Sequence, residues 1–433
     1  MKTTIKGTLL SIVIGATALP SNAQMTLTGE IRTRTEYRHG YKSLIDSGQS
    51  GSLFTSQRTR LNFGYGGENY KVGVSVQDVR IWGSQPQGNA TDGLTSLHEA
   101  WAEYNFTKKF SAKFGRQELP YDDHRMLGNV DWTQQGRSHD LVLLKFSDST
   151  FTAHAGIAYN QNAESNLGMS YTIAPSYKEL HFLWLNKKIN SFNISVLFLN
   201  NGYQSPVSIN STRFSQTAGT RIEFKKNKIF AALNFYDQMG DDNSVGTDGK
   251  IRKMNAMLIG VDAVYNITGK FSAGLGYELQ TGQSQTDTAR AYKNVNHSFN
   301  PFYGTNHKFN GYMDYFYVGN HINTVGLQDI YLKLKYKSEK AWIGLDAHMF
   351  SAAANVLDTK ELVKSGKYTA MNSSLGTELD LTCGYTLTTN VNLQVGYSQM
   401  FATETMKALK GGKNDLTQNW AYLMFTFKPN FLK

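Results

Sequence analysis

Hydrophobic and polar residues alternate with a period of two along almost the whole chain. In residues 26–38, one face of the extended segment carries Ile31, Thr33, Thr35 and Tyr37. The opposite face carries Arg32, Arg34, Glu36 and Arg38. Residues 56–65 repeat the pattern, and no segment keeps a helical period for more than a few turns. Because successive side chains of a strand point to opposite faces, the pattern predicts an all-β protein whose strands have one polar and one apolar face.

Short polar turns alternate with longer loops between the predicted strands. The turns centre on Glu68, Lys108, Asp148, Lys187, Lys226, Gly269, Glu339 and Thr389. The loops are rich in Gly, Asn, Ser and Asp and centre near residues 47, 90, 130, 168, 208, 245, 303, 362 and 409. Outer-membrane barrels have short periplasmic turns and long extracellular loops. Eight turns and nine loops therefore predict a transmembrane antiparallel β-barrel of about 18 strands, with both termini at the turn end.

Composition narrows the choice of fold. The mean hydropathy of −0.41 excludes a bundle of membrane-spanning helices, which needs several long apolar runs. The chain nevertheless has 24 Tyr, 24 Phe and 6 Trp, which suits a barrel with an apolar outer face. The alternative is a large secreted β-sandwich or propeller. A propeller would repeat a signature in each blade, and no such signature is visible.

The N-terminal residues predict export from the cytoplasm. Lys2 and Lys6 precede a short apolar run, and small residues follow up to Ala23. We expect residues 1–23 to be a signal peptide and residues 24–433 to be a single barrel domain in the outer membrane of a Gram-negative bacterium. The aromatic-rich final segment, residues 419–433, suits recognition by the barrel-assembly machinery. The lone Cys383 has the apolar parity of its strand and is expected to face lipid.

Charge is unevenly distributed along the chain. The net charge of +10 becomes +8 when Lys2 and Lys6 are removed, and nine of the 13 arginines precede residue 141. Four of them share the polar parity of adjacent strands: Arg32, Arg34, Arg58 and Arg60. A guanidinium binds a carboxylate or phosphate through a planar fork, so this wall predicts a path for anions. The alternative is a structural ladder in which these arginines pair with Glu36, Glu99 and Glu103.

The later strands are mixed in charge. Their polar faces carry the acidic residues Asp262, Glu278, Asp346, Glu378 and Asp380. They also carry a basic row of Lys333, Lys335 and Lys337. The predicted lumen is therefore basic on its N-terminal wall and mixed elsewhere. General porins also oppose basic and acidic walls, so the charge pattern is equally compatible with a general diffusion pore.

Two segments, residues 114–140 and 305–331, depart from simple alternation and are dense in aromatic and charged residues. We expect them to fold into the pore or to cap it. An enzyme is disfavoured because the residues of Asp122-Asp123-His124 and of His139-Asp140 are sequence neighbours and point to opposite faces. A surface-binding barrel would instead display Tyr312, Tyr315 and Tyr317 to a partner.

Motifs within these two segments resemble the alginate export family of outer-membrane porins. The first block contains Gly115-Arg116-Gln117, Tyr121-Asp122, Arg125-Met126-Leu127-Gly128, Asp131-Trp132 and Gly136-Arg137-Ser138-His139-Asp140. The second contains Asn306-His307-Lys308-Phe309 and Gly311-Tyr312-Met313-Asp314. The resemblance implies a monomeric 18-stranded barrel with a basic lumen that passes an anionic polysaccharide or a smaller solute. It also implies that Arg116, Arg125 and Arg137 are lumen or constriction arginines.

These observations predict an outer-membrane channel for anionic solutes or an alginate-like polyuronate. A general porin or a sugar or organic-anion uptake porin is the alternative. The candidate path residues are Arg32, Arg34, Arg58, Arg60, Lys113, Arg116, Arg125, Arg137, Lys333 and Lys335. The candidate loop or constriction residues are Asp122, Trp132, His307, Tyr312 and Asp314. We expect no catalytic residues, cofactor, transition-metal site or nucleic-acid partner, and calcium at the acidic loop of residues 241–249 stays open.

Overall fold

A computed structural model describes residues 24–88, 93–173 and 176–432, and the predicted signal peptide lies outside these residues. The first nine strands are β1 (Gln24–His39), β2 (Ser52–Gly66), β3 (Tyr70–Ile81), β4 (Thr95–Asn105), β5 (Phe110–Gln117), β6 (His139–Ser147), β7 (Phe151–Tyr159), β8 (Glu179–Ile189) and β9 (Phe192–Gln204). The next are β10 (Thr212–Lys226), β11 (Ile229–Val245), β12 (Ile251–Asn266), β13 (Phe271–Gln280), β14 (Val295–Asn296), β15 (Leu327–Lys337), β16 (Ala341–Ser351), β17 (Ser374–Thr388), β18 (Val391–Ala402) and β19 (Gln418–Phe427). All but the two-residue β14 belong to the barrel.

The sheet closes on itself. Each barrel strand pairs antiparallel with its neighbours along the chain, and β1 pairs with both β2 and β19. The chain beyond β19 continues this seam, since Phe431 N donates to Leu27 O at 2.9 Å and Gly29 N donates to Pro429 O at 2.9 Å. The expected closed barrel of 18 antiparallel strands is therefore confirmed.

Short turns join the strands at one end of the barrel and long loops join them at the other. The predicted turn at Lys187 is displaced furthest: Lys187 lies within β8, and the chain reverses at residues 190–191. Lys226 is the last residue of β10, one residue before its turn. The structural reason is Asn190, which adopts a left-handed φ of 50°. Asparagine tolerates this conformation better than lysine does, so it marks the reversal. Asn227, at φ 53°, opens the next two-residue turn in the same way.

The two faces of the sheet have the expected chemistry. The polar face points inwards: Arg32 is 5% exposed and Arg58 is 1% exposed. Large apolar side chains such as Ile31 and Leu61, 44% and 51% exposed, point outwards. Cys383 lies in register with Ile343 and Val395 on this outer face.

Two long loops fold into the barrel. They are the β5–β6 loop (residues 118–138) and the β13–β15 loop (residues 281–326), and both contribute fully buried side chains. Backbone hydrogen bonds join them in the interior: Tyr303 N donates to Met126 O at 3.2 Å, and Gly128 N donates to Tyr303 O at 2.9 Å. The two loops therefore form one internal layer that narrows the lumen.

Three short helices lie in the loops: α1 (Arg290–Lys293), α2 (Thr359–Ser365) and α3 (Glu404–Lys410). In the part of the chain that is described, none of the helices has the length and apolar character needed to cross a bilayer.

Glycines let aromatic rings lie flat against the inner wall. At least six strand glycines of the described residues lie directly opposite an aromatic residue of a neighbouring strand. The pairs are Gly73–Trp101, Gly156–Phe182, Gly219–Tyr236, Gly276–Tyr331, Gly384–Trp342 and Gly396–Tyr422. A Cβ added at Gly276 would lie 2.1 Å from the ring of Tyr331. Such pairs fix the register of neighbouring strands, because the ring fills the space that glycine leaves.

We predict that Gly276→Ala lowers the free energy of unfolding by about 1–3 kcal/mol, because the Tyr331 ring must leave its place on the wall. Urea unfolding in lipid vesicles measures the change. Gly269→Ala is the matched control, since its Cβ meets no atom within 4 Å. Equal stability of the two variants would contradict the packing role of Gly276.

Candidate functional site

The loop end of the barrel opens into a cavity of about 1750 Å³, called the vestibule below. Segments of the two internal loops, residues 130–138 and 300–307, contribute to its lining together with the inner wall of β1–β3. The charged side chains that line it are Arg34, Glu36, Arg38, Lys42, Arg80, Arg116, Arg137, Asp140, Asp242 and Asp314. Parts of the β3–β4, β7–β8 and β9–β10 loops complete the lining.

The arginine wall forms, and its side chains bind the β5–β6 loop. Arg58 Nε lies 2.8 Å from Glu30 Oε1, and Arg58 Nη2 lies 2.8 Å from Asp131 Oδ1. Arg32 donates to Gln134 Oε1 at 3.0 Å and to Thr133 O at 2.8 Å. The guanidinium groups of both arginines are therefore occupied by neighbouring protein groups.

Arg60 extends the same attachment. Its guanidinium donates twice to Gln77 Oε1, at 3.1 and 2.7 Å, and Gln77 Nε2 donates to Gln135 O at 2.8 Å. The wall was expected to offer an open row of cations to a solute. In the structure Arg32, Arg58 and Arg60 instead hold residues 131–135 in place, because a buried guanidinium needs acceptors for its donors.

The acidic partners expected for the ladder are only partly correct. Glu36 accepts from Arg34 Nε at 2.9 Å, as expected. Glu103 instead pairs with Lys145 Nζ at 2.7 Å. Glu99 Oε1 accepts the backbone N–H of Glu118 at 3.0 Å. These two glutamates lie on β4, where the arginines of β1 and β2 do not reach them.

A stack of flat groups joins the wall to both internal loops. The guanidinium of Arg34 lies 4.1 Å from the ring centroid of Trp132. Trp132 stacks on His307, with centroids 4.3 Å apart and an interplanar angle of 9°. His307 in turn lies against Tyr312, with centroids 5.4 Å apart. The stack therefore connects β1, the β5–β6 loop and the β13–β15 loop.

The β13–β15 loop is fixed further by Asp314. Its Oδ1 lies 2.6 Å from His307 Nδ1, and its Oδ2 accepts the hydroxyl of Tyr41. Tyr315 and Tyr317 of this loop are 0% and 1% exposed. These two tyrosines therefore do not present their rings to a surface partner, because the rings pack inside the barrel.

Arg125 lies away from the vestibule, contrary to expectation. Its Nη2 lies 2.6 Å from Glu278 Oε2, and its guanidinium carbon lies 3.3 Å from the ring centroid of Phe309. The side chain of Arg125 is 4% exposed. This arginine fastens the β5–β6 loop to β13, because its charge is satisfied by a buried carboxylate.

Asp122 and Asp123, which precede Arg125, fasten the same loop to β8, β10 and β11. Asp123 Oδ2 accepts from Arg221 Nη1 at 2.8 Å and from Asn234 Nδ2 at 3.0 Å. Asp122 accepts from Trp184 Nε1 at 3.1 Å. The β5–β6 loop thus crosses the lumen, with residues 122–125 attached to β8–β13 and residues 131–135 attached to β1–β3.

Arg116 and Arg137 do line the vestibule. Arg116 Nη1 lies 2.8 Å from Asp140 Oδ2, and both side chains are partly exposed. Arg137 Nη1 donates to Gly304 O at 3.2 Å. Burial lowers the pKa of Arg137, and no carboxylate of the described residues forms a salt bridge with it. It is the vestibule arginine whose charge is least compensated by the surrounding protein.

The candidate lysines lie nearer the turn end. The ammonium of Lys113 lies 3.8 Å from the ring centroid of Trp101. Lys333 Nζ lies 3.1 Å from Asp346 Oδ2, and Lys335 Nζ lies 5.3 Å from the ring centroid of Trp342. None of the three lines the vestibule.

A hydrogen-bonded relay that sequence reasoning missed holds the ends of the β5–β6 loop. Ser138 Oγ lies 3.4 Å from His98 Nδ1, and His98 Nε2 lies 2.8 Å from Glu118 Oε1. Asn129 Nδ2 also donates to Glu118, at 2.9 Å. The pairing of β3 with β4 shifts its register next to His98. No pattern in the sequence predicts this shift, so the contact could not be found from the sequence.

Within the described ranges, no group of three or more His, Cys, Asp or Glu side chains is arranged to hold a metal ion. The acidic loop near residue 241 makes ion pairs instead: Asp241 Oδ2 lies 3.8 Å from Arg213 Nη1.

One protein-family model matches the N-terminal part of the chain. Residues 23–186 match the model of a family described as "Alginate export". The resemblance seen in the first motif block is confirmed over these residues, and the second block lies outside them. No curated protein matches the chain.

Solved structures with the same fold come from outer-membrane proteins. Pseudomonas aeruginosa OccK8 (OprE) is 11% identical, with a TM-score of 0.61 and coverage of 94% of this chain and 98% of that one. Acinetobacter baumannii OccAB4 is 12% identical, with a TM-score of 0.63 and coverage of 95% and 99%. Acinetobacter baumannii OccAB1 is 13% identical, with a TM-score of 0.61 and coverage of 94% and 97%. At these identities the solved structures show that this chain shares their fold.

The attachment of the β5–β6 loop should depend on pH through Asp131. Burial raises the pKa of its carboxyl, but Arg58 and Arg32 lower it more, so the net shift is downward. A lowered pKa in the folded protein stabilises the attachment above the ordinary aspartate range, near pH 4, and this contribution is lost as pH falls through the lowered value.

We therefore predict steady single-channel current from pH 7 down to about pH 4 and added current fluctuations below it. Asp131→Asn should fluctuate already at pH 7, because Arg58 and Arg32 each lose the carboxylate partner that the loop supplies. Asp46→Asn, at an exposed loop residue, is the control. Recordings in planar bilayers in which Asp131→Asn matches wild type at pH 7 would overturn this role.

Proposed function

We propose that this protein passes anionic solutes through the vestibule, which presents more basic than acidic side chains. Among the described residues, six basic side chains line it: Arg34, Arg38, Lys42, Arg80, Arg116 and Arg137. Four acidic side chains of the same described residues line it: Glu36, Asp140, Asp242 and Asp314. A cavity lined by an excess of one sign concentrates ions of the opposite sign, because low-dielectric walls focus its field.

The acids of the vestibule are largely occupied by neighbouring groups. Glu36 is 0% exposed and binds Arg34, Arg38 and Trp420. Asp314 is 3% exposed and binds His307 and Tyr41. Such carboxylates attract a passing cation weakly, since their charge is already shared with donors.

The single observation that carries the proposal is Arg137. Its guanidinium borders the vestibule and is partly desolvated, and among the described residues its hydrogen-bond acceptor is a backbone carbonyl. Arg116 borders the same cavity with a partly exposed partner. A desolvated cation without a counter-charge is stabilised by an incoming anion. Exchange stays fast because hydration and neighbouring groups compete for each contact.

Two classes of cargo fit this site, and different observations favour each. The match to the alginate export model favours a polyuronate. The packed internal layer favours a small organic anion or sugar acid, because inward-facing Gln117 and Asn234 are both fully covered. A polymer would require the two loops to move apart, whereas a small anion requires less. We therefore propose a small carboxylate as the cargo that passes in this conformation.

The test is ion selectivity in planar bilayers. Arg116→Ala combined with Arg137→Ala should move the anion-to-cation permeability ratio towards unity while leaving the folded barrel intact, because neither side chain anchors a loop through a buried carboxylate. Lys364→Ala is the matched control, because Lys364 lies on α2 with an 81% exposed side chain outside the vestibule. An unchanged ratio in the double variant would contradict the proposal.

The cargo is tested by block of the current. Monomeric uronate or a small organic acid should interrupt the chloride current in single, short events, and Arg137→Ala should shorten or abolish them. Oligouronates of increasing length distinguish the two classes. Long block events that lengthen with the number of residues would overturn the small-anion assignment in favour of a polyuronate.

A further inference from the structure

The inner wall of β12–β17 carries a cluster of carboxylates, called the acidic wall below, beside the lysine row of β15. Its inward-facing carboxylates are Asp262, Glu278, Asp329, Asp346, Glu378 and Asp380. Glu278 lies directly opposite Asp329, and Asp346 lies directly opposite Asp380. Like charges at such positions destabilise a sheet, so these pairs need compensating contacts.

Part of the compensation comes from Arg125 against Glu278, His348 against Asp329 and Lys333 against Asp346. The rest comes from residues 310–313 of the β13–β15 loop. Met313 N donates to Glu378 Oε1 at 2.8 Å, and Tyr312 N donates to Asp380 Oδ2 at 3.3 Å. Asn310 Nδ2 donates to Glu278 at 3.1 Å and to Asp329 at 3.3 Å. One short segment therefore contacts four of the wall's carboxylates.

Gly311 shows how closely the segment lies on the wall. It has a φ of +77°, and a Cβ at this position would lie 2.6 Å from the carboxyl carbon of Glu378. Only a glycine allows the backbone to reach the carboxylate at this point. The segment consequently covers the acidic wall without a layer of side chains between them.

The covered carboxylates have lost contact with solvent. Glu278 is 2% exposed, Asp329 0%, Glu378 0% and Asp380 1%. None of them lines the vestibule. Residues 305–317 carry one lysine, Lys308, and one acid, Asp314, so the segment covers the wall mainly with amide groups and adds little net charge.

We propose that residues 310–313 mask the acidic wall, so that the β13–β15 loop sets the sign of the channel's ion selectivity. This inference rests on the proposed anion channel and deepens it. A basic vestibule and an acidic wall coexist in one lumen because the loop covers the acidic wall and separates it from the permeation path. Without the loop, Glu378 and Asp380 would lose their backbone donors, face water and attract cations. Glu278 and Asp329 would keep their contacts with Arg125 and His348.

The first test replaces residues 283–324 with an Asn-Gly turn. Gln280 and Leu327 are paired neighbours on β13 and β15, so a two-residue turn can join the strands. The reversal potential in a KCl gradient should change sign, from anion to cation preference. A larger conductance with the anion preference retained would overturn the mask and leave the loop as a steric obstacle only.

The second test uses the full chain and holds even if the loop replacement fails to assemble. Glu378→Gln combined with Asp380→Asn should leave the reversal potential unchanged, because both carboxylates are covered. Asp140→Asn, at a vestibule acid with a 61% exposed side chain, is the matched control and should raise the anion preference. A shift from the wall variant as large as that of Asp140→Asn would overturn the inference.

Thiol accessibility separates the mask from the anion channel itself. In a Cys383→Ser background, Asp380→Cys should resist a water-soluble methanethiosulfonate in the full chain and react after loop replacement. Asp140→Cys should react in both. Rapid reaction of Asp380→Cys in the full chain would overturn the mask whatever the selectivity. A third outcome is also informative. If Asp380→Cys is protected in the full chain but the wild-type channel prefers cations, the mask is retained and the anion channel is refuted.

Discussion

The arrangement of the interior depends on buried charges that need partners. Arg58 is 1% exposed, and its guanidinium is satisfied by Glu30 of β1 and by Asp131 of the β5–β6 loop. Leaving one partner of such a pair buried alone costs about 3–5 kcal/mol. The same requirement joins Arg125 to Glu278 and Arg221 to Asp123. These ion pairs hold the β5–β6 loop across the lumen, and the loop in turn supports the β13–β15 loop.

The charges of the wall are therefore not the charges that a solute meets. Arg32, Arg58 and Arg60 face inwards, but the loop occupies them. The acidic residues of β13–β17 also face inwards, and the second loop covers most of them. What remains open to the vestibule is a smaller set of groups, which includes Arg137 and the partly exposed Arg116. Net charge and strand parity alone do not reveal this selection.

The barrel was predictable from the sequence because its determinants are local. Two-residue alternation follows from strand geometry, and the alternation of turns and loops gave the strand number directly. The turn placed at Lys187 was wrong because the left-handed Asn190, three residues later, decides where the chain reverses. The closing pairing of β1 with β19 followed from the even strand count and the positions of the termini.

The interior was less predictable because its contacts are long-range. Parity correctly placed the arginines of β1 and β2 on the inner face, but their partners come from about 70 to 100 residues away along the chain. The two-residue alternation of a strand does not predict which loop enters the lumen or which carboxylate that loop contacts. Arg125 shows the limit: its motif suggested a constriction residue, yet its side chain is 4% exposed and paired with Glu278.

The central claim is that the solute path is basic although the barrel wall carries both signs. The reversal potential of the wild-type channel, recorded in a planar bilayer under a KCl gradient, measures this most directly. The account predicts that at neutral pH the reversal potential is shifted from zero towards the equilibrium potential of chloride, which indicates anion preference. A reversal potential shifted towards the equilibrium potential of potassium, or one indistinguishable from zero, would contradict it.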